Sequence, residues 1–268
     1  MKLKIPKTRS FSSKGFTLIE LLVVIAILSL LMALLIPGLG ATRHMARRLA
    51  CAAQLRQMAV AWTMYFDDYD ERFYKGVNAN LMYGGWKGIY EWSPRPLNSY
   101  FNIPVDTNDR DQAQIFNCPA DRGGSPGLFV REKIFTVMGT SYITNVFLIG
   151  QNANGHFSEK TAPLDDELSR RNSQLKATQV NNSARLLLMG DYGWFNQWKP
   201  QPHKDQEAYE LTQCHGKADS FNMAFLDGHV QFLKIRKGFY LTDEYTVVPF
   251  KDLYGLAQEL QGPVESSD

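Results

Sequence analysis

The chain has 268 residues, 44% of them hydrophobic, and a formal net charge of +2. This composition is typical of a folded protein and excludes a disordered or collagen-like chain. The near-zero charge argues against a nucleic-acid-binding protein, which normally carries a basic excess on one face. Three cysteines are too few for a disulfide-rich scaffold.

Charge is distributed unevenly along the chain. Residues 1–15 contain five basic residues and no acidic residue. The remainder holds 24 basic against 27 acidic residues, which gives it a net charge of −3. The sequence therefore combines a basic leader with a mildly acidic body.

An apolar segment joins these two parts. Residues 16–36 form a run of 21 residues in which Glu20 is the only charged residue. At about 1.5 Å per residue, a helix of this length crosses a bilayer core of roughly 30 Å. The basic leader predicts that the N-terminus stays in the cytoplasm and that the body is exported.

Two simpler interpretations of this segment remain open. A secretory signal peptide cleaved near residues 38–40 is disfavoured because the apolar run exceeds an ordinary signal core. A plain signal anchor fits the length but leaves Glu20 unexplained. An ionised carboxylate inside a membrane helix costs on the order of 2–3 kcal/mol, so it usually serves a partner.

Residues 14–28, with the sequence KGFTLIELLVVIAIL, resemble the N-terminal signal of type IV prepilins and type II secretion pseudopilins. The resemblance implies that a membrane peptidase cleaves between Gly15 and Phe16 and methylates the new amino group of Phe16. It also implies that Glu20 pairs with the amino group of a neighbouring subunit. The implied fold is α+β, with a long N-terminal helix packed on an antiparallel sheet with elaborated loops.

Hydrophobic patterning and the resemblance divide the chain into five segments. Residues 1–15 are the cytoplasmic leader, 16–36 the transmembrane helix and 37–66 its amphipathic continuation. Residues 67–262 form an extracytoplasmic head, and 263–268 a flexible tail. The continuation is predicted from an apolar stripe at helical spacing, which consists of Leu55, Met58, Trp62 and Tyr65.

In the head, short aromatic or β-branched runs alternate with turn residues, and they predict strands at residues 133–137, 141–148, 185–189 and 245–248. The clearest hairpin pairs residues 221–226 with 229–235. Asp227 and Gly228 lie between them and predict a type I′ turn. Residues 76–111, rich in Trp, Tyr, Pro and Asn, predict an irregular insertion.

The body after the apolar segment also resembles, more loosely, prepilin-like proteins abundant in planctomycete and verrucomicrobial genomes. The matching residues include 51–58, 116–121 and 188–191. That family ends in a motif of His, nine residues, then Asp-Gly. Here eleven residues separate His215 from Asp227 and Gly228, so the chain departs from the pattern by two. A structural role is favoured for this motif, with a metal or ligand site and catalysis as alternatives.

Export favours disulfides, and a bridge between Cys51 and Cys118 would tie the loop region to the helix. Free buried thiols are the alternative. No cofactor is expected and no metal site is assigned. Calcium is admissible at two acidic clusters, although solvated turns are the favoured interpretation because neither has an EF-hand pattern. The clusters are Asp67, Asp68, Asp70 and Glu71, and Asp106, Asp109 and Asp111.

These features predict a structural filament subunit, a pilin or pseudopilin, in the bacterial inner membrane. Its expected partners are the prepilin peptidase/N-methyltransferase and other pilin-like subunits, and no nucleic acid is expected. The chain is not expected to be an enzyme, because it lacks a catalytic triad, phosphate loop or metal motif. The alternative is a monomeric anchored protein that binds a ligand, such as a glycan, through loop aromatics. These are Trp86, Tyr90, Trp92, Tyr100, Trp194 and Trp198.

Overall fold

The computed structural model describes residues 16–76, 78–125, 129–149, 162–172, 174–198 and 206–262. Its contacts divide the chain into two compact units, residues 1–43 and 44–268. The predicted leader, including Gly15, and the predicted tail lie outside the described residues.

The first helix, α1, runs from Leu18 to Asp68 and begins at a capping box. The backbone N–H and the hydroxyl of Thr17 both donate to Glu20 Oε2 at 2.8 Å. The backbone N–H of Glu20 donates in return to Thr17 Oγ1 at 3.3 Å. These bonds satisfy backbone donors that the first helical turn otherwise leaves open. The segment Leu18–Ile36 is long and apolar enough to cross a membrane, with a mean hydropathy of 3.0.

In the second unit, the structure confirms the apolar stripe that was predicted along one side of α1. Leu55, Met58, Trp62 and Tyr65 are all buried. The stripe belongs to a hydrophobic cluster that also contains Tyr142, Leu188 and Ala224 from the sheet. Helical spacing therefore places one side of α1 against the head. The helix ends at Asp68, two residues beyond the predicted end at residue 66.

The sheet has four antiparallel strands in chain order. They are β1 (Tyr142–Thr144), β2 (Leu187–Asp191), β3 (Ser220–Phe225) and β4 (Val230–Lys234). Every residue of β1, β2 and β3 is buried, whereas β4 alternates between more buried and more exposed positions. Because full burial requires cover on both faces, the sheet is a middle layer and β4 is its open edge.

The face of the sheet opposite α1 is covered by the later helices and aromatic side chains. Helix α4 (Ala162–Asn172), a 3₁₀ helix (Tyr192–Trp198) and helix α6 (Tyr254–Leu260) contribute to a second hydrophobic cluster. Trp194 and Trp198 are fully buried there. These two tryptophans are core residues, which is the more common role of aromatic residues in loops, and they are not part of a ligand-binding surface.

Residues 76–111 contain little regular structure, as predicted, and are organised around one buried arginine. Short helices occur at Ala79–Met82 (α2) and Pro96–Phe101. The Arg95 guanidinium donates to five carbonyl oxygens, those of Leu81, Gly84, Lys87, Trp92 and Met138. Burial lowers the pKa of Arg95 to about 10, which leaves it charged at neutral pH. A buried cation satisfied by carbonyls holds separate backbone turns in one arrangement.

The sequence predicted a strand at residues 133–137, but the structure has a helix there instead, α3 (Ile134–Met138). The carboxylate of Asp121 accepts the backbone N–H groups of Ile134 and Phe135 at 3.1 and 2.9 Å. Gly139 ends the helix with φ of 85°, a conformation that glycine adopts without strain. Tertiary contacts at both ends therefore override the β propensity of the segment.

The remaining strand predictions need smaller corrections. Only residues 142–144 of the predicted strand 141–148 are extended, and residues 245–248 make isolated bridges through Thr246 rather than a strand. The β3–β4 hairpin is present, but its turn is not type I′. Only Gly228 has positive φ, at 90°, and its N–H bonds the Phe225 carbonyl. A short loop closed by a left-handed glycine results.

Other helices are short. Helix α5 covers Gln206–Leu211, and 3₁₀ helices cover Gln114–Phe116, Ala177–Gln179 and Lys251–Leu253.

Cys51 and Cys118 form a disulfide in the structure, with a Cα–Cα distance of 5.2 Å. The bond joins the inner side of α1 to the segment after the Gln114–Phe116 helix. Cys214 is the free cysteine, and burial raises the pKa of its thiol well above its usual range. A neutral buried thiol reacts slowly with alkylating reagents.

We therefore expect mass spectrometry to find no iodoacetamide label on the native chain, one label after unfolding without reductant, and three after unfolding with reductant. Replacing both Cys51 and Cys118 by Ala should lower the free energy of unfolding by about 3–4 kcal/mol, because it removes a link across 67 residues. Three labels without reductant would contradict the disulfide.

Lys75 is a partly buried cation whose Nζ donates to the Leu148 carbonyl at 3.0 Å. Burial lowers the pKa of Lys75 to about 8. Between that value and the ordinary lysine pKa, the unfolded chain binds a proton that the folded chain does not, so this group makes stability rise with pH.

Replacing Lys75 by Met should remove this contribution. From pH 7 to pH 10, the free energy of unfolding of the wild type should rise relative to that of the variant, measured by urea denaturation. Lys234→Met, on the exposed edge strand, is the control and should follow the wild type. Parallel pH curves for wild type and Lys75→Met would refute the assignment.

Candidate functional site

The N-terminal motif opens α1 and leaves one carboxylate oxygen uncommitted. Both bonds from Thr17 end on Glu20 Oε2. Among the described residues, Glu20 Oε1 has no hydrogen-bonding partner, and both Phe16 and Glu20 are exposed. Glu20 Oε1 can therefore accept a hydrogen bond at the start of α1 while Oε2 keeps its bonds with Thr17.

The apolar helix that follows has no cover within the first unit. None of the segment Leu18–Ile36 is buried, and its large hydrophobic side chains are exposed. An apolar surface of this length requires lipid or another apolar surface as its partner.

In the second unit, the side of α1 that faces away from the head is also apolar. Met45, Leu49, Val60 and Met64 are each about half exposed and share one side of the helix. We call this set the outer stripe. It lies opposite the buried stripe of Leu55 to Tyr65, and the exposed Arg56 lies between its two halves, so this part of α1 exposes large apolar side chains on its outer side as well as burying others on its inner side.

His215 from the predicted motif is buried against a residue that the motif did not include. Its Nε2 lies 3.0 Å from Asp191 Oδ2, and both side chains are almost fully inaccessible. The same Nε2 lies 3.2 Å from Asn222 Nδ2, so the tautomer of His215 determines which of these two contacts is a hydrogen bond. The pair lies between β2 and the segment before β3, where burial limits screening by solvent.

Asn222 extends this pair to α1 and completes what we call the histidine junction: His215, Asp191, Asn222 and Cys118. The Asn222 backbone N–H donates to Asp191 Oδ2 at 2.7 Å, and its side-chain amide donates to the Arg48 carbonyl at 3.2 Å. Cys118 Sγ lies 3.9 Å from His215 Nε2. The junction therefore joins the sheet, the disulfide and α1.

The other residues of the predicted motif lie elsewhere. Asp227 is at the β3–β4 turn, where its Oδ1 contacts His229 Nδ1 at 2.6 Å and both side chains are partly exposed. Gly228 supplies the positive φ of that turn. The structure therefore does not bring Asp227 and His215 into one site, and the sequence analysis missed Asp191 and Asn222 as the true partners.

A metal site at the histidine junction would need the disulfide cysteines. The ligand atoms of Cys51, Cys118 and His215 lie within 4.8 Å of one another. Metals bind the thiolate form of cysteine, and here both sulfur atoms are in the disulfide. In this oxidised state Cys51 and Cys118 are bonded to each other, and the imidazole of His215 packs against their disulfide.

Protein groups already contact several of the acidic residues considered for calcium. Asp68 accepts the Tyr100 hydroxyl at 2.7 Å, and Asp70 pairs with Lys176 Nζ at 2.7 Å. In the second cluster, Asp109 Oδ1 accepts the Asp111 backbone N–H at 2.8 Å. Calcium binding at either cluster stays a prediction.

Of the aromatic residues considered for ligand binding, Trp86 is buried and donates from its indole to the Phe135 carbonyl at 2.7 Å. Tyr90 is about half exposed and stacks on Trp92, with ring centroids 4.8 Å apart. The exposed aromatic surface in this loop is therefore small.

Replacing His215 by Phe should destabilise the head strongly, because the buried Asp191 carboxylate would lose one of its two partners and keep only the Asn222 backbone N–H. We expect a loss of about 3–5 kcal/mol in the free energy of unfolding, measured by urea denaturation. His229→Ala, at the exposed turn, is the matched control and should change stability by less than about 1 kcal/mol. Similar losses for both variants would contradict the structural role of the histidine junction.

Comparison with known proteins agrees with the N-terminal motif. Residues 10–36 match the family described as "Prokaryotic N-terminal methylation motif". No solved structure matches the chain significantly.

A curated relative is the type IV wide pilus major component PilA4 of Thermus thermophilus. The two are 39% identical over 92 residues, which cover 34% of this chain and 64% of PilA4. The match thus spans less than two thirds of that protein. Membership of the planctomycete and verrucomicrobial family stays a prediction. The methylation motif and the pilin relative show that part of this chain is similar to type IV pilins, and the apolar N-terminal helix and the α+β head are consistent with a type IV pilin fold.

Proposed function

We propose that this chain is a structural subunit, a pilin or pseudopilin, of a type IV pilus-like or type II secretion-like filament. The prepilin peptidase cleaves it between Gly15 and Phe16 and methylates Phe16. The chain is held in the bacterial inner membrane by residues 16–36, with its N-terminus in the cytoplasm and its head in the periplasm or in the extracellular filament.

The observation that carries this proposal is the apolar surface of α1 that the chain itself leaves uncovered. Lipid covers the segment Leu18–Ile36 while the subunit is in the membrane. The outer stripe lies beyond that segment, so a bilayer does not account for it. Helices of neighbouring subunits, packed side by side, cover both surfaces at once.

Glu20 gives the assembly its register. The capping box engages Oε2 and leaves Oε1 for the methylated amino group of Phe16 from a neighbouring subunit. Pairing these opposite charges removes the cost of either one alone in an apolar environment. It also fixes the offset between adjacent helices.

This role requires neither catalysis, a resident cofactor nor a nucleic-acid partner. The second candidate is a monomeric anchored protein that binds a ligand and uses the motif only for export. The stack of Tyr90 on Trp92, in which Tyr90 is about half exposed, favours it, because aromatic faces pack against sugar rings. The two candidates differ in whether Glu20 is needed after export.

Replacing Glu20 by Gln should abolish filaments, because the amide keeps an oxygen for Thr17 but has no charge to pair with Phe16. Filaments are measured by shearing cells that carry the native assembly machinery and blotting the released fraction. Thr17→Ala is the matched control: it removes the cap hydroxyl, keeps the charge and should retain filaments.

N-terminal sequencing separates assembly from processing in both variants. We expect the mature chain to begin at N-methyl-Phe16 in each. Normal filaments from Glu20→Gln would refute the proposed pairing. A mature N-terminus near residue 41 would show instead an ordinary secreted protein.

A further inference from the structure

A surface cleft of about 630 Å³ lies on the head, between the end of α6 and the segment that follows β4. Its lining residues include none from α1 and none from the histidine junction. Ligand sites in proteins commonly have volumes of about 300–1,000 Å³, so this cleft has room for a molecule the size of one or two sugar rings.

Two arginines line the cleft without a carboxylate partner. Arg185 uses one nitrogen, Nη2, to bond the Thr242 carbonyl, while its Nε has no partner among the described residues. The Arg236 guanidinium lies over the Phe239 ring, 5.9 Å from its centroid. Neither arginine forms an ion pair with any residue that the structure describes. Guanidinium groups bind carboxylates through paired hydrogen bonds, so these two offer an anion site.

Two acidic residues, Asp243 and Glu244, line the same cleft and are exposed. No ion pair joins them to Arg185 or Arg236 in the described structure, although all four line one cleft. Opposite charges held apart around a cavity fit a ligand that has an anionic end and hydrogen-bond donors elsewhere.

The remaining wall supplies aromatic rings and an amide. Phe239 and Tyr254 are partly buried and line the cleft. Gln261 also lines it, and its Oε1 is a buried acceptor without a partner in the part of the chain that the structure describes. This oxygen is inaccessible to solvent, so the polar part of the wall that a ligand can reach is formed by the charged side chains.

We propose that this cleft binds an acidic sugar of the uronate class. The ligand carboxylate bonds the guanidinium groups of Arg185 and Arg236. Its hydroxyls donate to Asp243 and Glu244, and the apolar face of its ring packs on the aromatic wall. This inference is independent of filament assembly, because it concerns a different surface of the head.

The test is calorimetric titration of the full chain in detergent with digalacturonate and with its neutral counterpart, a digalactoside. We expect digalacturonate to bind more tightly than the neutral sugar, because only it has carboxylates. Arg236→Gln should weaken digalacturonate binding at least about tenfold, since a hydrogen bond to a charged group is lost. The control Arg131→Gln removes an exposed arginine that is paired with Glu207 and should leave binding unchanged.

Three results would overturn the proposal. One is no heat of binding up to about 10 mM digalacturonate, above the range of a weak site. Another is a loss of discrimination, either as equal weakening in Arg236→Gln and Arg131→Gln or as equal affinity for the neutral sugar. The third is binding only by a chain shortened to end at Gly262, because residues 263–268 would then be the occupant of the cleft. Filament formation plays no part in these measurements, so a failure here leaves the assembly proposal intact.

Discussion

The rest of the structure depends on α1, because the second half of this helix has apolar side chains both on a buried side and on an uncovered side. One side of its second half is buried against the head, with Leu55 and Trp62 fully inaccessible. The opposite side bears the outer stripe, which is apolar but uncovered. Apolar packing alone allows such a helix more than one rotation against the head, so directional or covalent contacts are needed to fix one of them. The polar and covalent contacts of the head supply that specificity.

Two of these contacts act at the same place. The disulfide joins α1 at Cys51 to Cys118, and the histidine junction packs against it and reaches the Arg48 carbonyl through Asn222. Buried hydrogen bonds have strict distances and angles, so they select one rotation of α1 among those that apolar packing would tolerate. Hydrophobic burial stabilises the head, and this small polar cluster determines how it is oriented on the second half of α1.

The features that sequence predicts well depend on local spacing. The stripe from Leu55 to Tyr65, the apolar segment 16–36 and the β3–β4 hairpin each follow from periodicity or a turn residue. The capping box of Thr17 and Glu20 was equally readable, at a spacing of three, and was missed because Glu20 was considered only for assembly.

Features that depend on distant partners were not predictable in the same way. The pairing of His215 with Asp191 requires the sheet register, which places a residue at the end of β2 beside the segment before β3. Helix α3 forms because Asp121 caps it from another part of the chain, and its own residues favour a strand. The convergence of five carbonyls on Arg95 has no sequence pattern, because each carbonyl is a backbone group present at every residue.

The position of the disulfide has a mechanical consequence. In the proposed filament, lengthwise tension would act along α1, and apolar contacts between a helix and a sheet yield readily when the two are sheared past one another. Cys51 is buried and precedes the buried stripe of Leu55 to Tyr65, so a covalent bond would hold the head where such shear would begin. Detaching the head would then require breaking a bond or unfolding the head, and the outer stripe would stay in place under tension.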